Sequence, residues 1–496
     1  MNITTKEISL QSVHQPIVFN KDFEYDEQIP DHLPNIKEFL YLDSDLTKEL
    51  TSLENGKLVI EQTVQYKFYY ISEQNDSLCI FPFTKHTVIK TDIKNSENTS
   101  YLINSFACSS QTRMLNPRKI FVKSTITYEI VPVEDNVHSV LSDSQEKCFT
   151  KSRPIASSTL TKILEEDFSI ENEILLGDGY EPTGQIIDVS AKLSNYECVL
   201  IPSYCILKGT ANLSLLYFGE NDSERIIHLE RTISFEKSIP CEHYDDGCTC
   251  FCKLRILEND SSPSIDAYGE YRVIKQKLDI SATIFGISEK YESVVTDIFT
   301  SGKSEKTIVS HTKHTHLCLS SDNEISIDGI ISTESISFSR IISANAKITL
   351  LPNQNEKSFS GTLQLNIIGE TPNGLNYFCA NKDFVHNLDF IPFYSIVKEP
   401  ECNLTIAGGD SLSYRIHFKI SSFSVSEEFV DMINSVEFTD LPQTNDHMVI
   451  YYPSQNEPIW DIAKKYHTSP NLIKATNPSF ESECVKDKDI VIIKYN

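Results

Sequence analysis

The stretch GKLVIEQTVQYKFYYI (residues 56–71) alternates apolar and polar side chains with a period of two. That period is typical of a β-strand with one face buried and the other in solvent. Two further stretches have the same pattern, YCILKGTANLSLLYF (204–218) and EKSFSGTLQLNIIG (356–369). Aligned on the threonine in the first half of each, they lie 147 and 152 positions apart, which indicates a tandem repeat.

A second set of alternating stretches closes each repeat, at 118–133, 275–287 and 412–425. Strands dominate between them, so we predict a mainly β protein of three tandem β-rich domains, sandwich-like or barrel-like, plus a small α+β unit. The predicted domain limits are 1–143, 155–301, 318–440 and 447–496.

Polar clusters between the repeats indicate linkers. We expect them at 144–158, 300–318 and 439–446. One apolar spacing, in HLPNIKEFLYL (32–42), is that of a helix and predicts a short one.

The net charge of the chain is −26. Phosphate binding needs clustered Lys and Arg, so this charge argues against nucleic acid and against an anionic membrane surface as partners. The last fifty residues carry six acidic residues and six lysines, so the excess negative charge lies on the first 446 residues. We interpret it as a solvated acidic surface.

The N-terminal sequence lacks the charged and apolar regions of a signal peptide. There is also no apolar run long enough for a membrane span, so we expect the protein to stay in the compartment that makes it. Without an export signal, the 13 cysteines are expected to be reduced.

The C-terminal stretch EPIWDIAKKYHTSPNLIKATNPSF (457–480) predicts two short helices. Pro458 and Pro470 are placed where a helix begins, and Ser469 precedes the second helix as its cap. With strands at 447–452 and 489–495, the predicted order is strand, helix, helix, strand, with Trp460 packed in the core. The apolar face of the first helix is formed by Ile459, Ile462, Ala463 and Tyr466.

This stretch resembles a LysM domain through Trp460, Ile462-Ala463, Tyr466, Thr468 and Ala475-Thr476-Asn477. The resemblance implies a shallow groove between the turn before the first helix and the loop after the second, where LysM modules bind N-acetylglucosamine glycans. In this chain Asn456-Glu457-Pro458 replaces the Gly-Asp-Thr turn of the family. Binding of a protein in place of a glycan therefore stays open. The groove residues implied by the resemblance are Gln455, Asn456, Glu457, Ile459, Trp460, Thr476, Asn477 and Pro478.

The whole layout resembles the SPOCS-domain proteins of endospore-forming Firmicutes. The resemblance is carried by residues 29–46, 56–71, 115–119 and 294–300. It implies a spore coat morphogenetic protein in the mother cell, at the forespore surface, that contacts the ATP-hydrolysing basement-layer protein of the coat. The alternative is an anchor that binds peptidoglycan.

Catalytic motifs are missing from the sequence, so no enzyme activity and no cofactor are predicted. One weak metal candidate is CEHYDDGCTCFC, with Cys241, His243, Cys248, Cys250 and Cys252. Sulfurs at i and i+2 of a strand lie about 6.5–7 Å apart, which is wide for a tetrahedral zinc site, so we expect a hairpin with free or coat-crosslinking thiols. The histidines of HTKHTH (311–316) are expected in a solvated linker.

Overall fold

Antiparallel strands form most of the chain in this computed structural model. The mainly β class predicted from the period-two pattern is confirmed. The structure describes residues 3–94, 98–142, 148–220, 225–241, 247–334, 336–351, 356–442, 448–454, 456–480, 483–485 and 490–494.

The first unit consists of two antiparallel sheets. Its strands are β1 (Thr5–Val13), β2 (Ile17–Gln28), β3 (Ile36–Glu54), β4 (Lys57–Ser72), β5 (Leu78–Lys94), β6 (Thr99–Asn116) and β7 (Lys119–Leu141). One sheet is the meander β3–β4–β5, whose central strand is the alternating stretch quoted above. In the other sheet, β7 pairs with β1 and β2 along one edge and with β6 along the other.

The second unit repeats this arrangement. Its strands are β8 (Phe149–Leu175), β9 (Thr183–Ile201), β10 (Tyr204–Gly219), β11 (Ile226–Pro240), β12 (Thr249–Ser264) and β13 (Val273–Phe299). The meander is β9–β10–β11, and the last strand, β13, lies between β8 and β12.

The third unit repeats it again, with one edge strand divided in two. Its strands are β14 (Lys303–Ser332), β15 (Arg340–Leu350), β16 (Ser358–Thr371), β17 (Gly374–Asn387), β18 (Tyr394–Val397), β19 (Glu401–Gly408) and β20 (Ser411–Asp440). The meander is β15–β16–β17, and β20 pairs with β14 on one side and with β18 and β19 on the other. The predicted domain limits stay a prediction, because strand pairing does not decide where an independently folding unit ends.

Two local predictions are wrong. The predicted helix at 32–42 is largely the start of β3, and the predicted linker at 300–318 is largely β14. Within β14, His314 and His316 are buried, so they do not lie in a solvated linker, whereas His311 is exposed and paired with Asp431.

The structure describes only part of each of the other two predicted linkers. The stretch 144–158 becomes strand β8 from Phe149 onward, so most of it is not a linker. In 439–446, β20 continues to Asp440 and the chain is described up to residue 442.

Each unit has its own hydrophobic core, and smaller clusters of buried residues join the three units. Equivalent residues of the three meanders meet in one cluster, and they lie 147 and 152 positions apart, as the sequence repeats do. Residues of the three closing strands meet in two further clusters at a common spacing of 154 and 136. The triplets are Tyr69, Leu216 and Ile368; Val133, Ile287 and Phe423; and Val140, Val294 and Val430. Each fully buried side chain of this size contributes roughly 1.5–3 kcal/mol, so the packing of these triplets stabilises the contacts between the units.

Three lysines, one from each unit, join the units in a cycle. Lys67 Nζ donates to Asp188 Oδ1 of the second unit at 2.6 Å, and Lys347 Nζ donates to Asp43 Oδ1 of the first unit at 2.5 Å. Lys192 of the second unit reaches the third. The acceptors on the third unit are Asn345 Oδ1 and the Ala346 carbonyl.

At Asp43, the charge of Lys347 offsets the cost of burying a carboxylate. Only about a tenth of its side chain is exposed. Burial alone would raise the pKa of Asp43, but the charge and hydrogen bond of Lys347 outweigh burial and hold this pKa below its ordinary value. The pair therefore stabilises the contact between the first and third units only while both partners are charged.

Candidate functional site

The C-terminal unit places two short helices between two small strand ladders. Its elements are β21 (Met448–Tyr451), β22 (Glu457–Pro458), α1 (Ile459–Lys465), α2 (Pro470–Thr476), β23 (Cys484–Val485) and β24 (Val491–Lys494). β21 pairs with β24, and β22 pairs with β23. The predicted order of strand, helix, helix, strand is present, with the β22–β23 ladder added.

Helix packing follows the predicted spacing. α1 buries Ile459, Ile462 and Ala463, and Pro458 is its N-cap and not its first residue. α2 begins at Pro470 after Ser469 and buries Ile473. The remaining buried members of this core cluster are Val485, Val491, Ile493 and, from the second unit, Phe299.

Trp460 attaches the C-terminal unit to the body of the protein. Its indole N–H donates to Asp297 Oδ2 at 2.7 Å, and its ring meets the Phe299 ring edge-on at 4.9 Å between centroids. Lys464 Nζ lies 2.5 Å from Asp297 Oδ1 and 3.5 Å from Glu305 Oε1. Burial lowers the pKa of Lys464, but the hydrogen bond and charge of Asp297 raise it above its ordinary value. Trp460 is thus a packing residue, at the contact between the C-terminal unit, called the tail below, and the second unit.

The turn before α1 uses its polar groups internally. Glu457 accepts hydrogen bonds from the Tyr451 hydroxyl, at 3.0 and 2.9 Å to its two oxygens, and from the Ser454 N–H at 2.8 Å. Asn456 is exposed with a φ of 56°, a left-handed conformation that Asn tolerates. Gln455 lies outside the described residues.

The loop after α2 is organised by Asn477. This side chain is buried; it donates to the carbonyls of Ile473 and Ile492 and accepts from the Ile492 N–H, each at 2.8 Å. Thr476 donates to the Leu472 carbonyl at 2.8 Å, and Pro478 is exposed. Of the predicted groove residues, Asn456 and Pro478 offer exposed surface, whereas Ile459, Trp460 and Asn477 hold the unit together.

An exposed apolar face lies on the C-terminal unit, outside the predicted groove residues. The register opposes Ile450 to Ile492, and by continuation Tyr452 to Ile490, so these side chains share the outer face of the β21–β24 sheet with Met448. Met448, Ile450, Tyr452 and Ile490 are each at least half exposed. The sequence signal was HMVIYY (447–452), whose apolar residues occupy both faces of a strand. A continuous exposed apolar face of this kind typically marks an interaction surface.

The residues proposed as weak metal candidates differ in burial. Cys241 and Cys252 are buried, Cys248 and Cys250 are half-buried, and His243 lies outside the described residues. Among the residues that the structure describes, no group of three or more His, Cys, Asp and Glu side chains is placed to hold a metal ion.

A polar cavity of about 680 Å³ lies where the three units meet. All three bridging lysines line it, together with Glu399 and Glu401. Burial raises the pKa of Glu399, while Glu401 accepts hydrogen bonds from the second unit, including one from Ser194 at 2.9 Å. Since the lysines are paired with acceptors of neighbouring units, the cavity belongs to the contact between units.

The comparisons with known proteins gave one match. Residues 182–262 match the family model described as "SipL, SPOCS domain", a segment that covers β9, β10, β11 and nearly all of β12. Neither the curated proteins nor the solved structures gave a match. Among the described residues, no helix is long and apolar enough to cross a membrane. Within the second unit, the chain is therefore similar to a SPOCS domain.

Proposed function

We propose that this chain is a non-enzymatic assembly protein of the spore coat that acts in the mother cell, at the forespore surface. In this proposal the C-terminal, LysM-like unit recruits the ATP-hydrolysing basement-layer protein of the coat. The SPOCS match supports the link to sporulation. The three-unit body would serve as the rigid support of the tail, because apolar clusters and a cycle of lysine contacts join its units.

The exposed apolar face of the β21–β24 sheet carries the proposal. Ile450 lies at its centre, opposite Ile492, Tyr452 lies at one end, and Lys494 opposite Met448 gives it a polar margin at the other. Protein interfaces commonly combine an apolar centre that includes aromatic residues with such a polar rim. Because Trp460 is held against the body, this face remains the accessible apolar surface of the unit.

The polar groups of the implied sugar groove are bonded within the unit, which favours a protein partner over a glycan. A sugar acetamide would need free polar groups in the turn and loop, but Glu457 and Asn477 bond within the unit. Pro458 also supplies no backbone N–H. Peptidoglycan binding is the alternative, and the test below must distinguish it from binding of a protein partner.

The test uses Ile450→Asp in the full chain, which puts a charge at the centre of the apolar face. We expect its affinity for the purified basement-layer protein to fall at least tenfold, as for a central interface residue. Ile330→Asp is the matched control, because Ile330 is 68% exposed on β14, in the third unit. Undiminished binding by Ile450→Asp would reject this surface. Pelleting with purified cell wall that soluble chitin oligomers compete away would favour the glycan alternative.

A further inference from the structure

The second unit gathers five cysteines in one hydrophobic cluster. Three are buried and two are partly buried against them, although they are spread over more than fifty positions of the sequence. Only three of the five belong to the cysteine-rich stretch that the sequence analysis singled out. The five are Cys198, Cys205, Cys241, Cys250 and Cys252.

Cys198 occupies the middle of this cluster. It lies on β9, the edge strand of the meander, and Cys250 Sγ on β12, the edge strand of the other sheet, lies 3.1 Å from its carbonyl oxygen. In the β9–β10 register Cys205 opposes Leu200, which makes it the diagonal neighbour of Cys198 on the same face. Hydrogen bonds with the side chains of Cys205, Cys250 and Cys252 raise the pKa of the Cys198 thiol.

Accessibility selects one pair from this cluster. Cys205 and Cys252 are 0% and 7% exposed, so a reagent in solution does not reach them, whereas Cys198 and Cys250 are half-buried. Cys250 and Cys252 are two positions apart on one strand, and their sulfurs project about 6.5–7 Å apart. We propose that Cys198 and Cys250 are a thiol pair that forms a reversible disulfide between the two sheets by exchange with a small disulfide such as oxidised glutathione.

The exchange has a defined order. The Cys198 S–H stabilises a thiolate on Cys250 and, although burial opposes it, lowers the pKa of Cys250. The Cys250 thiolate attacks one sulfur of the small disulfide and expels the other half as a thiolate. Cys198 then releases its proton to solvent, and its thiolate attacks the Cys250 sulfur and expels the second half. Two protein thiols are oxidised, and one small disulfide is reduced to two thiols.

The bond would join two edge strands that share no ladder. β9 and β12 belong to different sheets, so the disulfide would link the edges of the two sheets covalently. The chain between the two cysteines is long, and cross-links over long loops restrict the unfolded chain most. The SPOCS match spans both strands, so the pair lies inside the matched segment.

The experiment treats the native full-length protein with oxidised glutathione, alkylates the remaining thiols and maps tryptic peptides by mass spectrometry. We expect peptides 193–208 and 238–253 to be joined, and the link to disappear with dithiothreitol. It should be absent from Cys198→Ser and Cys250→Ser but retained in Cys205→Ser and Cys252→Ser, the matched controls. The oxidised protein should also melt higher by roughly 5 °C.

Two results would overturn the proposal. One is a link that survives in Cys198→Ser or Cys250→Ser, since another pair would then carry it. The other is a link that forms only after urea is added, which would show that the folded protein does not bring these thiols together. Equal melting temperatures of the reduced wild type and the serine variants establish that the variants fold.

Discussion

Asp297 provides the sharpest test of how the tail is attached. Asp297→Ala removes the acceptor of the Trp460 indole N–H and the partner of Lys464. A hydrogen bond to a charged group contributes roughly 1.5–3 kcal/mol. About a quarter of the Asp297 side chain and a third of that of Lys464 are exposed, so the ion pair adds less than about 1 kcal/mol. We therefore expect the docking free energy to fall by roughly 2–3 kcal/mol, which is about 30- to 150-fold in the equilibrium constant.

Trp460 is the only tryptophan, so its fluorescence reports on this contact without a label. Asp297→Ala should shift the emission maximum to the red and increase quenching by acrylamide. Asp297→Asn keeps an oxygen acceptor and should give a smaller change. Asp279→Ala, on the same strand but away from the tail, is the matched control. Emission and quenching of Asp297→Ala identical to those of the wild type would refute the reasoning.

Two further predictions concern the contacts between units. Lys347→Met leaves the buried carboxylate of Asp43 without its cation and should lower the unfolding free energy by roughly 3 kcal/mol. Urea unfolding measures this loss. The double variant with Asp43→Asn should recover part of it. Burial, aided by the nearby His316, lowers the pKa of His314 to about 4 from an ordinary 6.5. The unfolded chain therefore binds the proton first, and stability that is complete above the ordinary pKa should fall by about 2 kcal/mol near pH 5. His314→Leu should flatten this pH dependence in thermal melts.

The central strands were predictable because their two faces meet different environments. The alternating stretch 56–71 corresponds to β4, and the other two correspond to β10 and β16. The helix predicted at 32–42 failed for a local reason. β3 has register shifts at Ile36/Glu38 and Phe39/Tyr41, and each extra residue turns the following side chains over. Apolar residues then recur at a spacing of three, which imitates a helix.

The buried polar strands were not predictable from hydropathy. The start of β14 contributes His314 and His316 to the interior, and the start of β8 contributes Ser157 and Ser158. A sequence pattern assigns such residues to a linker because their burial depends on neighbouring units. The bridging lysines were missed for the same reason, since their partners belong to other units.

The tail was predicted in its elements but not in its surfaces. The spacing of Ile459, Ile462 and Ala463 placed the first helix correctly. That Trp460 would contact Asp297 could not follow from a sequence in which the two residues are 163 positions apart. Likewise, Cys198 joins the cysteine-rich stretch only through the approach of two sheet edges.

The segment 294–300 contacts both the three-unit body and the tail. A bulge between Val295 and Asp297 shifts the end of β13 in register. Beyond it, Ile298 packs into a core cluster shared by all three units, while Asp297 and Phe299, on the other face, hold the tail. This short segment of β13 therefore connects the cluster shared by the three units with the unit that carries the proposed recruiting surface. Since a rigidly held surface loses less conformational freedom on binding, we infer that loosening the shared core would weaken partner binding without any change to the tail itself.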